Sequence, residues 1–298
     1  MKVSESMNKI GFIGQGWIGK NYADDFEDRG HEVVRYALEE PYVKNKEAIK
    51  SCKIVFVAVP TPTTEAGFDD SYVRDALKVA GDDSVVVIKS TITVGTTKIL
   101  QNDYPHLTVF HSPEFLREKS AAHDAANPDR NLVGIPEDTI EKRKLAQEVL
   151  DVLPDAPYQH IMDSNDAELV KYAGNCYLYT KVLFMNMLYD LVEKSGGDWQ
   201  RVRDALINDP RIGISHTEPV HKSGHDTSET GGLRGAGGHC FIKDFETFRS
   251  MYAEIVGDTF GEDLLRAGSE YNRKLLVQSG KDIDLATSVY GDLSKWRS

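Results

Sequence analysis

Cys240 stands just after Gly237-Gly238 and ahead of a helix expected from Lys243. A thiol at a helix N-terminus beside a lysine is drawn toward thiolate, from an ordinary pKa of about 8.5. Such a thiol can act as a nucleophile; the plain alternative is an inert packing cysteine. Cys176 lies within a long helical stretch among apolar residues and Cys52 just ahead of a strand, and both read as packing residues. Asp244 follows Cys240 by four residues and reads either as a partner in the same pocket or as a first-turn helix acid. Lys171 and Asn175 are spaced i, i+4, which puts an ammonium and an amide on one helix face. That pair suits a developing negative oxygen, although the same spacing occurs on many exposed helix surfaces. Glu114 and Glu118 flank Phe115-Leu116 beyond the end of a strand, where such sheets bind ligands. His216, His221, His225 and His239, spaced by 5, 4 and 14, match no zinc pattern, so no metal is expected.

Gly14-Gln15-Gly16-Trp17-Ile18-Gly19 is a G-x-G-x-x-G run between a short apolar strand and a helix. The glycines permit a tight turn, close approach to a pyrophosphate and close helix–strand packing. The helix N-terminus offers N–H groups to phosphates. The run therefore predicts a dinucleotide. Glu39 and Glu40 are the acids nearest the expected ribose position, which favours NAD; Arg35 keeps NADP as the lesser alternative.

These residues need a scaffold. Apolar strands are expected at 9–13, 31–36, 53–59, 84–89, 107–111 and 131–135, with helices between them, for example at 22–29, 71–80 and 140–150. Alternating strands and helices, with near-continuous Val/Ile runs, imply a doubly wound parallel sheet of the Rossmann type in an α/β fold. Beyond about residue 160 the pattern turns helical. One long helix is expected at 166–194, and others at 200–207, 243–255 and 263–279, with a loop-like stretch at 208–238. The expected division is an NAD(P)-binding domain over 1–160 and a helical domain over 161–298 that carries Cys240, joined near 155–165.

Several segments, in order, resemble the UDP-glucose/GDP-mannose dehydrogenase family. After the glycine loop come Val59-Pro60-Thr61-Pro62-Thr63, Lys89-Ser90-Thr91-Ile92-Thr93-Val94-Gly95-Thr96-Thr97 and Ser112-Pro113-Glu114-Phe115-Leu116-Arg117-Glu118. Asn127-Pro128-Asp129-Arg130, Glu168-Leu169-Val170-Lys171-Tyr172-Ala173-Gly174-Asn175, Asp209-Pro210-Arg211-Ile212-Gly213 and Gly237-Gly238-His239-Cys240-Phe241-Ile242-Lys243-Asp244 follow. The resemblance implies oxidation of a nucleotide-sugar primary alcohol to a carboxylate, with two NAD reduced. It makes Cys240 the nucleophile that captures the aldehyde, and Lys171 and Asn175 the groups that steady the oxyanion. Asp244 and Glu114 would handle water and protons, with Thr91 positioning the water. Val59, Pro60, Thr61, Ser90, Thr91 and Glu118 would join the glycine loop at the cofactor. Glu114, Phe115, Leu116, Lys171, Asn175, Arg211, Gly237 and Cys240 would meet the substrate, Arg211 often from a partner subunit.

The sequence departs from that pattern in places. The resemblance ends without the C-terminal nucleotide-binding domain usual in the family, and a longer stretch at 214–235, with Lys222 and Arg234, precedes Cys240. His239 stands where the family has serine, and Ile242 where it often has proline. A contact from that stretch, a second chain, or a smaller alcohol substrate are the three ways to meet the lost binding energy. A resemblance to the β-hydroxyacid dehydrogenases, which also carry Lys-x-x-x-Asn on a long helix, gives a second reading with one hydride transfer. A non-catalytic NAD-binding remnant is the third.

Composition bounds the partners. The chain has 298 residues, 40% hydrophobic and 28% charged, with a net charge of −12. That charge disfavours nucleic acid, and no 18-residue apolar run predicts a membrane span. Three sparse cysteines fit a reducing compartment such as the cytoplasm. The long helix is apolar on more than one face (Tyr177, Leu178, Val182, Leu183, Phe184, Met187, Leu188), so a homodimer through it is expected.

Overall fold

The computed structural model describes residues 9–222 and 233–296. In chain order the elements begin with β1 (Ile10–Ile13), α1 (Trp17–Asp28), β2 (Val33–Tyr36), α2 (Lys46–Ile49), β3 (Ile54–Val57), β4 (Thr63–Thr64), β5 (Gly67–Phe68) and α3 (Ser71–Leu77). Then come β6 (Val85–Ile88), α4 (Thr96–Asp103), β7 (Thr108–His111), α5 (Ala121–Ala126), β8 (Arg130–Ile135), α6 (Ile140–Val152) and β9 (Tyr158–Asp163). The remainder is α7 (Ser164–Lys194), α8 (Trp199–Ile207), α9 (His239–Ile255), α10 (Thr259–Ser279) and α11 (Ile283–Tyr290). The described residues fall into two compact units. The first holds the chain up to Pro62 and Asp69–Lys171; the second holds Thr63–Phe68 and the chain from Tyr172 onward.

In the first unit a seven-stranded sheet has the order β2-β1-β3-β6-β7-β8-β9. All residues of β1, β3 and β6 are buried, because helices cover both faces of a parallel sheet; this is why these strands read as unbroken apolar runs. Phe12 stacks on Phe56 at 5.1 Å and Phe26 meets both rings edge-on, tying α1 to the sheet. The chain leaves β1 for β2 on one side and returns to β3 on the other, so the β1 end is the switch point where such sheets bind ligands.

Three expectations needed correction. The segment at 155–165 is not a linker: it contains β9, paired in parallel with β8. As an edge strand β9 is mostly exposed, so it lacks the apolar run by which strands are read. The sheet is not wholly parallel, because β7 and β8 pair antiparallel. The helix of Cys240 starts at His239, four residues earlier than expected. Its start is set by the turn at Gly238, with φ 85°, and the first turn already carries Phe241 and Ile242.

In the second unit α7, α9 and α10 enclose a core of Tyr179, Val182, Leu183, Phe245 and Leu275. Tyr179 stacks on Phe245 at 3.9 Å. The hairpin β4–β5 joins this unit through Thr63, whose hydroxyl pairs with that of Thr247 on α9 at 2.8 Å. Among the described residues no helix is long and apolar enough to cross a membrane.

Candidate active site

The glycine loop divides the labour of its three glycines by geometry. Gly14 has φ +92°, and a Cβ there would lie 2.3 Å from the Ala58 carbonyl oxygen. A Cβ at Gly19 would lie 2.0 Å from the Gly14 carbonyl oxygen. A Cβ at Gly16 would meet nothing within 4 Å. The first and last glycines are thus required by the fold, and the middle one leaves open space at the start of α1. Gly16 gives α1 no side-chain cap, so first-turn N–H groups are left for an anionic ligand. A pyrophosphate fits this cradle. Gln15 turns its amide nitrogen onto the Gly14 carbonyl, Trp17 is exposed at the helix start, and Ile18 packs on the sheet core.

The neighbouring loop ends are fastened to each other. Ser90 Oγ accepts from Val59 N at 3.0 Å and donates to Val59 O at 2.7 Å. Thr61 and Thr91 are buried, Pro60 and Glu118 are exposed. Arg35, the residue that raised NADP, is held by Asp24 and Glu27 at 2.7 Å each. Two carboxylates already answer its charge. Glu39 and Glu40 lie exposed beyond the end of β2.

At the end of β7 the buried Lys171 donates to Glu114 Oε1 at 2.7 Å and to the Glu114 carbonyl at 2.8 Å. Glu114 Oε2 accepts from Leu116 N at 2.7 Å, which shapes the turn. Phe115 lies under the Arg130 guanidinium at 3.8 Å. Glu168, one turn before Lys171 on α7, reaches the start of α4 and accepts from Gly95 N, Thr97 N and Thr97 Oγ. Its role had no clear signal in the sequence beyond its place in the Glu168–Asn175 segment.

Below this pair lies a group that sequence reasoning missed. Lys89 is fully buried, donates to Ser112 Oγ at 3.1 Å and sits 4.5 Å above the Tyr22 ring. Burial pulls its pKa down to about 7. His111 is also fully buried, neither ring nitrogen has a hydrogen-bond partner, and burial pulls its pKa down to about 3. The available signal was a basic side chain at the end of an otherwise apolar strand.

In the second unit, Asn175 on α7 donates to Asp244 Oδ2 at 2.6 Å, and Lys243 bonds the other oxygen. Asp244 is buried in the first turns of α9, while Cys240, four residues earlier, is exposed. Gly238, with φ 85°, precedes the helix. None of the three cysteines forms a disulfide. Burial pushes the Cys52 thiol up to about 11 and the Cys176 thiol well above its ordinary value, so both are packing residues as expected. Arg211 is exposed and held by Asp209 through paired bonds. Arg234 turns inward to Asn186 and Asp190 on α7. His225 and part of the 214–235 stretch lie outside the described residues. Among the described residues no cluster of His, Cys, Asp or Glu could hold a metal ion.

The chain matches the NAD binding domain of the UDP-glucose/GDP-mannose dehydrogenase family over residues 40–151 and that family's central domain over 165–274. It is 29% identical to the UDP-glucose 6-dehydrogenase TuaD of Bacillus subtilis, covering 96% of this chain and 67% of that one. It is 31% identical to a UDP-glucose 6-dehydrogenase of Rhizobium meliloti, covering 79% of this chain and 61% of that one. A solved UDP-glucose dehydrogenase from Pyrobaculum islandicum superposes with a TM-score of 0.76 at 27% identity, covering 93% of this chain and 71% of that one. The chain thus spans about two thirds of the length of these relatives. NAD is the cofactor of the matched domain. With both of its domains matched in order, the chain belongs to the UDP-glucose/GDP-mannose dehydrogenase family.

Proposed function

We propose that this chain oxidises the primary alcohol of a nucleotide sugar resembling UDP-glucose to the carboxylate, through Cys240. The observation that carries the reading is the contrast between its cysteines. Cys240 is exposed in the first turn of α9, where N–H groups favour a thiolate, while Cys52 and Cys176 are buried and hard to ionise.

NAD, when bound, would supply the hydride acceptor, one molecule for each of the two oxidations. The cradle at Gly14–Gly19 holds its pyrophosphate, and Val59, Pro60, Thr61, Ser90, Thr91 and Glu118 line its place. In the first oxidation the alcohol loses a proton and a hydride and becomes an aldehyde. The Cys240 sulfur then adds to the aldehyde carbon, and the carbonyl oxygen takes up a proton to give a thiohemiacetal. Loss of a second hydride, with the hydroxyl proton, leaves a thioester. Water adds to that carbonyl and breaks the C–S bond, releasing the carboxylate and the thiol. Lys171 and Asn175, one turn apart on α7, donate to the oxygen that becomes negative. Glu114 and Asp244 accept protons, and Thr91 orients the water. Phe115, Leu116 and Gly237 shape the substrate's surroundings, and Arg211 meets its anionic part.

The Cys240→Ala variant tests this directly. It should retain NAD binding and lose acid production. Acid formation at the native rate contradicts the covalent route.

We further propose a homodimer through α7. Tyr177, Phe184 and Leu191 follow at seven-residue spacing and are 65%, 52% and 66% exposed, with Met187 beside them. An apolar stripe of that length on one helix face calls for cover. Light scattering tests it: the native chain should have dimer mass, and Phe184→Asp combined with Leu191→Asp should have monomer mass.

A further inference from the structure

The helix that carries Cys240 has no side chain of its own to cap it. Its N-cap residue is Gly238, which makes no side-chain capping bond. The acceptor comes from elsewhere in the second unit: Gly238 N donates to Asp282 Oδ2 at 2.8 Å. Asp282 stands at the start of α11 in the left-handed region, with φ 49°.

The bond is one of a series. Ser279 Oγ accepts from Arg234 N at 3.0 Å. Lys281, itself fully buried, donates to the Gly235 carbonyl at 2.9 Å. Asn272 bonds both backbone groups of Ala236, at 2.8 and 3.0 Å. At Gly237 a Cβ would lie 2.1 Å from Asp282 Oδ2 and 2.8 Å from Lys281 Cε, so a larger residue here would have to push those two side chains aside. The run from 234 to 238 is therefore laid down on the end of α10 and the turn after it.

We infer that Asp282 is a positioning residue for Cys240, capping from outside the helix the turn in which the thiol sits. This rests on the proposed role of Cys240. Without an acceptor at Gly238 N the first turn of α9 frays, and the sulfur two residues on loses its fixed place. Misplacing a reacting atom by about 1 Å can cost on the order of 10²-fold in rate.

The test compares Asp282→Ala with Asp282→Asn. Asparagine keeps the acceptor oxygen and tolerates a left-handed backbone. Deuterium exchange of the backbone amides from 236 to 242 reads the turn, and turnover reads the thiol. Asp282→Ala should exchange these amides faster and lose about 10- to 100-fold in kcat, with KM for NAD unchanged. Asp282→Asn should restore both. The inference is overturned if Asp282→Ala keeps native kcat, whatever its exchange, or if Asp282→Asn is as impaired as Asp282→Ala. Exchange is measured without substrate. A native chain with no turnover would sink the proposed activity, and the exchange comparison would still decide the cap.

Discussion

Lys171 holds Glu114 by two bonds, one to the carboxylate at 2.7 Å and one to the backbone carbonyl at 2.8 Å, with both side chains at or below 5% exposure. The first bond pairs charges away from water, and the second fixes the chain beyond β7 against α7. Removing one partner leaves the other charged and unanswered in the interior, a loss of about 3–5 kcal/mol. Lys171→Met should therefore lower unfolding stability by that order in urea. Adding Glu114→Gln should recover part of the loss. Equal losses in the single and double variants would mean the pair is not the source.

The glycine loop makes a separable prediction. Gly14→Ala forces a Cβ to 2.3 Å from a carbonyl oxygen at positive φ, so the thermal midpoint should fall clearly. Gly16→Ala meets open space, so the fold should melt as the native chain does while NAD affinity, measured by calorimetry, drops. Unchanged NAD affinity in Gly16→Ala would remove the pyrophosphate from that spot.

Buried Lys89 makes stability depend on pH. Its folded pKa is pulled down to about 7 from the ordinary 10.5. Between those values the unfolded chain binds the extra proton, so this group's effect on stability improves as pH rises from 7 toward 10.5. Below pH 7 the folded chain bears the full penalty of a buried ammonium. Lys89→Met removes the dependence, so its stability relative to the native chain should fall between pH 6 and pH 9. A difference flat across that range would place the proton elsewhere.

Glu168 accepts three hydrogen bonds at the start of α4. Glu168→Ala leaves buried donors without an acceptor and should cost about 1–3 kcal/mol per unsatisfied group, read by denaturant unfolding. A loss under 0.5 kcal/mol, roughly the scatter of surface substitutions, would contradict a structural role for it.

What could be read in advance follows from burial. β1, β3 and β6 are buried throughout, so their apolar runs gave them away, and the glycine spacing located the cradle. β9 was missed because an edge strand with the sequence YQHIMD shows solvent most of its residues. The hairpin at Thr63–Phe68 joins the second unit through Thr247, a long-range pairing without local signal. Lys171, Asn175, Glu114 and Asp244 were legible from their segments. Their pairing was not: Lys171 and Asn175 are one turn apart, yet each bonds a different acid. Lys89 and Asp282 bond neighbours distant in sequence, Ser112 and Gly238, and no spacing rule marks such residues.

Counting NADH formed per nucleotide sugar consumed tests the central claim most directly. Two NADH and one carboxylate per UDP-glucose-type substrate are predicted, with acid lost in Cys240→Ala. One NADH per substrate with an aldehyde or ketone as the final product would contradict the two-step oxidation.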